Sequence, residues 1–143
     1  MTEARVQYAA LPYRQGDDKI EILLVTSLGT KRWIIPKGWP MNGRAPHEAA
    51  AREALEEAGV VGTVGSDAIG TYQYEKRRKS GATVPCTVAV YPLDVDEQRK
   101  RWPEKGRRKA QWLPPEEAAR IVSDAELGDI ILEWTRRLRP SGA

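Results

Sequence analysis

The segment from Gly38 to Val60 constrains the fold of this 143-residue chain most, because it predicts one short helix with defined faces. Pro46 stands where a helix tolerates proline, in the first turn, and Gly59 stands where helices commonly end. About thirteen residues lie between them, and side chains three and four positions apart are neighbours on a helix. Three glutamates are therefore expected on one side: Glu53, Glu56 and Glu57.

Clustered carboxylates on one helix face repel one another unless a cation offsets their charge. Mg²⁺ prefers carboxylate oxygens, keeps several of its waters and completes its shell with substrate phosphate. The cluster is therefore a candidate site for metal-assisted phosphoryl chemistry. The competing interpretation of the glutamates alone is a solvated acidic face with Arg52 as internal counter-ion, since Glu48 and Glu56 both lie at helical ion-pair spacing from it.

The order of residues in the segment resembles the Nudix box, written G-x5-E-x7-R-E-U-x-E-E-x-G-U with U a bulky aliphatic residue. The matching positions are Gly38, Arg52, Glu53, Glu56, Glu57, Gly59 and Val60. Two positions depart from the box: Arg44 replaces its first Glu, and Ala54 replaces its first U. In the family that Glu braces the loop and the motif Arg, so Glu48 becomes the candidate for this role.

The resemblance implies an α/β fold, a Nudix-type α/β/α sandwich with a mixed β-sheet, and metal-assisted hydrolysis of a phosphoanhydride. The implied ligands of Mg²⁺, or of Mn²⁺, are the three glutamates and the backbone carbonyl of Gly38, while Arg52 positions the cluster. The general base stays open among Glu53, Glu97 and Glu104. The single histidine, His47, is expected to be a bystander.

Hydrophobic and turn patterns predict an alternation of strands and helices that agrees with an α/β sandwich. Helices are expected from Pro114 to about Val122 and from 125 to 138. The chain after Pro92 is expected to be irregular up to Arg107, and the tail 140–143 to be loose. Strands are predicted at 6–14, 20–27, 32–35, 60–64, 68–78, 83–90 and 107–113.

Composition indicates a single globular domain over residues 1–143. Hydrophobic residues make up 41% and charged residues 30% of the chain, and no apolar run approaches the roughly 20 residues of a membrane span. The first ten residues lack a basic-then-apolar signal pattern. Cys86 has no partner for an internal disulfide, which favours a reducing cytoplasm. The protein is expected to be a monomer or a homodimer without membrane contact.

Lysine and arginine are concentrated in four clusters, at 31–32, 76–79, 99–109 and 136–139. The net charge is only +3, whereas a nucleic-acid binder more often shows a larger basic excess. Nucleic acid is therefore not the expected partner. Cations around an acidic metal centre suit a small polyphosphate, because the metal takes the scissile phosphates and the cations take the others.

The run from Trp33 to Gly38, WIIPKG, resembles the entry to the box in the Nudix branch that hydrolyses diphosphoinositol polyphosphates and diadenosine polyphosphates. The later pattern Arg107-Arg108-x-x-x-Trp112-Leu113 is also similar to that branch. The resemblance implies that phosphates are bound by Ser27, Lys31, Arg32 and Lys37.

Two alternatives remain open at this point. The first is a Nudix pyrophosphatase for ADP-ribose, nucleotide sugars or nucleoside triphosphates, which usually needs an aromatic platform for the base. Trp39, Trp102 and Tyr74 are the candidates for it. The second is a non-catalytic ligand- or RNA-sensing Nudix domain, for which the basic segment 99–109 is the supporting feature.

Overall fold

A computed structural model describes residues 5–139, which form eight strands and three helices. The bounds, in chain order, are β1 (Arg5–Gln15), β2 (Ile20–Thr26), β3 (Trp33–Ile34), β4 (Lys37–Gly38), α1 (Pro46–Ala58), β5 (Val60–Val64), β6 (Gly70–Arg77), β7 (Thr83–Gln98), β8 (Ala110–Leu113), α2 (Pro115–Ile121) and α3 (Ala125–Leu138).

The long strands β1 and β7 run parallel at the centre of one mixed sheet, in register from Arg5 opposite Cys86 to Tyr13 opposite Asp94. Antiparallel neighbours extend the sheet on both sides: β6 and then β5 pair with β7, while β2 and β4 pair with different parts of β1. Both β3 and β8 pair with β2. The predicted mixed sheet is confirmed.

Alternate residues of β1 face two separate hydrophobic cores, because successive side chains of a strand point to opposite faces. Leu11 packs in one core with residues of α3 such as Leu127. Ala10 packs in the other with Ala50 and Ala54 of α1. Helices therefore cover both faces, as the predicted α/β/α sandwich requires. In the described part of the chain, no helix is long and apolar enough to cross a membrane.

Three predicted elements differ from the structure. Strand β7 continues to Gln98 instead of ending near Val90, because β5 pairs with its charged second half. The entry to the box, predicted as loop, contains β4, which pairs with β1 where Tyr8 faces Gly38. The strand predicted at 107–113 starts only at Ala110. The tail 140–143, predicted to be loose, lies outside the described residues.

Candidate active site

Both ends of α1 are fixed by local contacts, which sets the direction in which its glutamates project. At the start, the carboxylate of Glu48 accepts a hydrogen bond of 2.8 Å from the backbone N–H of Ala45. At the end, Gly59 adopts the left-handed conformation with φ 72° that closes many helices. Arg52 pairs with Glu56 at 3.3 Å. Glu48, the candidate to brace the loop and Arg52, therefore holds Ala45 at the end of the loop, whereas Arg52 pairs with Glu56.

The three glutamates of α1 lie in different surroundings. Glu57 is buried, with 4% of its surface exposed, whereas the Glu56 side chain is 30% exposed. Glu53 is half-buried and fills the space above the Cα of Gly38: a methyl group built there would lie 1.9 Å from Glu53 Oε2. Only glycine at position 38 admits this approach, so the predicted metal ligands Gly38 and Glu53 are neighbours.

Burial and mutual repulsion disfavour the charged form of the carboxylates in this cluster. Burial raises the pKa of Glu57 to about 8; Arg108 opposes this rise, and the charges of Glu53 and Glu104 add to it. Burial also raises the pKa of Glu53 to about 7, together with the charge and hydrogen bonding of Glu56. Buried carboxylates with too few positive neighbours favour a proton or another cation.

The positive charge nearest to Glu57 comes from Arg108, the second arginine of the pattern Arg107-Arg108-x-x-x-Trp112-Leu113. Its Nη2 lies 3.7 Å from Glu57 Oε1, and both side chains are at least 90% buried. Its Nε donates to Glu104 Oε1 at 2.7 Å. Nothing local distinguishes Arg108 from the other basic residues of 99–109, so only the folded structure identifies it.

Glu104 is the better placed of the two later candidates for the general base. Its backbone N–H donates to the carbonyl of Glu56 at 3.0 Å, and its charge contributes to the raised pKa of both Glu53 and Glu57. Glu97 is exposed on β7, opposite Val61 of β5. The ring of His47 packs at 6.5 Å from that of Tyr91.

Lys37 reaches the same site from β4. Burial lowers its pKa to about 8, while the charges of Glu57 and Asp124 raise it. Its Nζ lies 4.9 Å from the ring centre of Tyr74 on β6. Lys37 therefore places a cation between the acidic face of α1 and strand β6.

The other three predicted phosphate ligands belong to the turn between β2 and β3. Ser27 Oγ accepts a hydrogen bond of 2.9 Å from the backbone N–H of Arg32. Lys31 has a left-handed backbone with φ 56°, and its side chain and that of Arg32 are exposed. The turn is linked to Arg108 through the neighbouring residue Thr26, whose carbonyl accepts from Arg108 Nη1 at 3.0 Å.

A lysine amine lies over each aromatic ring that was considered as a platform for a nucleobase. The separations from nitrogen to ring centre are 4.9 Å for Lys37 on Tyr74, 5.1 Å for Lys105 on Trp102 and 5.8 Å for Lys76 on Trp39. The ring of Trp102 also packs against Gly59, so part of its surface is already covered. A ligand that approaches one of these rings therefore meets a lysine amine on the covered face and cannot stack there without displacing it.

The donor set suits a hard divalent cation held largely by water and substrate. In residues 5–139, no three histidine, cysteine, aspartate or glutamate side chains converge on one cation position. Mg²⁺ is commonly held by one or two carboxylates, waters and substrate phosphates, so it does not need a complete protein cage. The carboxylate of Glu53 against Gly38, with Glu56 and the buried Glu57 beside it, supplies oxygen ligands of that kind.

Comparison with known proteins places this site in context. The model of the NUDIX domain matches residues 4–135. Nudix hydrolase 16, mitochondrial, of Arabidopsis thaliana is 35% identical over 117 residues, covering 80% of this chain and 64% of that protein. Diphosphoinositol polyphosphate phosphohydrolase 3-beta of Bos taurus is 31% identical over 137 residues, covering 94% of this chain and 78% of that protein.

The chain spans 57–65% of the length of Nudix hydrolases 16, 13 and 12 of Arabidopsis thaliana. Among solved structures, the Ap4A hydrolase of C. elegans superposes with a TM-score of 0.68 and 23% sequence identity, covering 96% of this chain and 100% of that one. At this identity the superposition shows a shared fold.

Proposed function

Because the chain belongs to the Nudix family, we propose that it is a metal-dependent hydrolase of phosphoanhydride bonds. The proposed substrate is a small molecule with several phosphates, either a diphosphoinositol polyphosphate or a diadenosine polyphosphate. The arrangement that supports this proposal is an acidic helix face, formed by the three glutamates, with Lys37 and Arg108 beside its buried member Glu57.

In this proposal the glutamates of α1 bind Mg²⁺ or Mn²⁺ and Arg52 holds Glu56 in place. The cation would polarise the phosphoryl oxygens and activate water for attack. Glu104 and Glu53 are the candidates to accept the proton of that water, because both lie in the cluster that raises the pKa of Glu57. Gly38 leaves room for the carboxylate of Glu53, which is the reason the site needs glycine there.

The substrate class is inferred from the lysines over the three aromatic rings. A nucleobase would have to displace a lysine amine from Tyr74, Trp102 or Trp39 before it could stack on the covered face. A phosphate would instead gain a charge-assisted hydrogen bond from the same amine. The arrangement therefore favours recognition of phosphates over recognition of a base, and the lowered pKa of Lys37, about 8, shows that its amine is partly desolvated.

A substrate panel tests the proposal. Initial rates with Mg²⁺ are compared for a diphosphoinositol polyphosphate, diadenosine hexaphosphate, ADP-ribose and a nucleoside triphosphate. The first two are expected to be preferred. Faster turnover of ADP-ribose or the triphosphate would support a hydrolase but contradict the proposed substrate class. No turnover of any of the four compounds would favour a non-catalytic sensor.

Lys37→Ala adds a test of the charge argument. It is expected to raise KM for the polyphosphates more than for ADP-ribose, and by a larger factor at low salt than at high salt. Lys19→Ala, which removes an exposed lysine of the β1–β2 turn, is the matched control and should change neither KM. Equal losses for all substrates would contradict a role of Lys37 in reading phosphates.

A further inference from the structure

The guanidinium of Arg108 joins three separate segments at the centre of the site. Its Nε donates to Glu104 at 2.7 Å and its Nη1 to the carbonyl of Thr26 at 3.0 Å. The remaining nitrogen, Nη2, lies 3.7 Å from Glu57. Only 10% of the Arg108 side chain is exposed, so its charge must be offset by these partners.

The segment 99–109, which carries Arg108, is hydrogen-bonded to the end of α1. The backbone N–H of Arg99 donates to the carbonyl of Gly59 at 2.7 Å, and that of Glu104 donates to the carbonyl of Glu56 at 3.0 Å. The ring of Trp102 covers Gly59. These contacts hold Arg108 in place independently of Glu57.

The three contacts of Arg108 differ in strength. Those with Glu104 and Thr26 have hydrogen-bond lengths, whereas 3.7 Å to Glu57 exceeds one. Glu57 can therefore turn to another cation with the loss of only the longest contact. Until then it is surrounded by charges of both signs: Glu53 and Glu104 repel it, while Arg108 and Lys37 attract it.

We propose that Arg108 is the internal counter-ion of the cation-free site, which offsets the charge of Glu57 until a divalent cation takes that carboxylate. Arg108 stays on Glu104 and Thr26 when this happens, so its charge is then available beside the substrate phosphates. The inference rests on the proposed cation site and does not depend on which phosphate compound is hydrolysed.

The competing explanation is that Arg108 simply orders the carboxylates, and the two make opposite predictions for cation binding. If Arg108 competes with the cation, then removing it leaves a more negative site, which binds divalent cations more tightly. If it only orders Glu57 and Glu104, then removing it makes binding weaker. Binding of Mn²⁺ without substrate, measured by electron paramagnetic resonance above the pKa of about 8 that burial gives Glu57, separates these outcomes, because Glu57 is then ionised.

The experiment compares the wild-type protein with Arg108→Gln and Arg107→Gln. Arg107 is exposed and adjacent in sequence, so the second variant makes the same change in net charge outside the ion-pair network. Arg108→Gln is expected to lower the Kd for Mn²⁺ about tenfold, since a neighbouring opposite charge commonly changes the proton affinity of a carboxylate by about one to three orders of magnitude. Arg107→Gln should leave that Kd nearly unchanged.

Weaker binding of Mn²⁺ by Arg108→Gln, or equal tightening by Arg107→Gln, would overturn the inference. Circular dichroism in EDTA checks that each variant is folded. If Arg108→Gln is not, Arg108→Met decides, because methionine removes the charge while its flexible side chain still fills buried space. Its Kd should lie below that of the wild type, and an equal or higher Kd would overturn the inference.

Arg108→Gln should also lower kcat with the substrate that the panel identifies, although it binds Mn²⁺ more tightly. If Arg108→Gln instead lowered kcat and also bound Mn²⁺ more weakly, Arg108 would have an ordering role and the counter-ion proposal would be overturned. The proposed function fails separately, if neither the wild-type protein nor any variant binds Mn²⁺ or turns over a phosphoanhydride.

Discussion

Gly38→Ala is the sharpest test of how the site is built, because it adds one methyl group against one functional atom. The new Cβ would lie 1.9 Å from Oε2 and 2.3 Å from Cδ of Glu53. An ordinary contact begins at 3.4 Å, so the carboxylate must retreat by about 1.5 Å. The atoms that must move are the end of a flexible side chain, and the backbone of β4 can keep its pairing with β1.

The expected effect is a large loss of rate with a small loss of stability. Misplacing a reacting group by about 1 Å costs on the order of a hundredfold in rate, which corresponds to about 3 kcal/mol of transition-state stabilisation. Inserting a methyl group into a packed site usually costs about 1–3 kcal/mol, and the lower end is expected here because the Glu53 side chain can rotate away. Gly38→Ala should therefore lower kcat about a hundredfold while Tm falls by only a few degrees.

Initial rates at saturating Mg²⁺ and thermal unfolding in the same buffer measure the two effects. Gly16→Ala is the matched control, because its Cβ would meet nothing closer than 4.0 Å in the β1–β2 turn. It should preserve both rate and Tm. An active Gly38→Ala enzyme would show that the position of Glu53 does not matter, and a Tm loss of about 10 °C or more would show that the glycine serves the fold.

Two further predictions concern the buried charge and the end of α1. The pKa of Glu57 is raised from 4.5 to about 8, so its contribution to stability is complete below pH 4.5 and is lost as the pH rises to 8, on the order of 5 kcal/mol. In EDTA, urea unfolding of Glu57→Gln should lack this pH-dependent loss, and a pH profile parallel to that of the wild type would contradict the prediction. Gly59→Ala should destabilise more than Gly81→Ala in thermal unfolding: both have positive φ, but only Gly59 would clash with Trp102, at 2.2 Å. Equal losses would exclude the Trp102 contact as the cause.

The parts of the site that the sequence predicted correctly depend on local rules. Pro46 and Gly59 bound α1 where expected, because a proline in the first turn and a left-handed glycine after the last are signals within the helix itself. The common side of the three glutamates follows from helical spacing alone. Helical spacing also brings Ala50 and Ala54 onto one side of α1, and both are fully buried.

The parts that were not predicted depend on contacts between distant segments. The second half of β7 is rich in charge, and its strand character comes from pairing with β5 over Leu93 to Gln98. Arg108 reaches Thr26 because the backbone of Lys109 pairs with that residue across the sheet. No periodicity within a segment encodes such a register, which is why Arg108 could not be separated from its basic neighbours.

Gly59 combines a local role, as the residue that ends α1, with a contact to the distant residue Trp102. Gly59 ends α1 through its own backbone conformation, and the absence of a side chain lets Trp102 pack on it. Trp102 lies in the segment that carries Glu104 and Arg108, so one glycine fixes both the helix end with Glu56 and Glu57 and the segment that faces them. A change at Gly59 should therefore disturb the charge balance of the site together with the stability of the fold, whereas a change at Gly38 should disturb the site alone. The contrast between these two glycines separates what the fold requires from what the proposed chemistry requires.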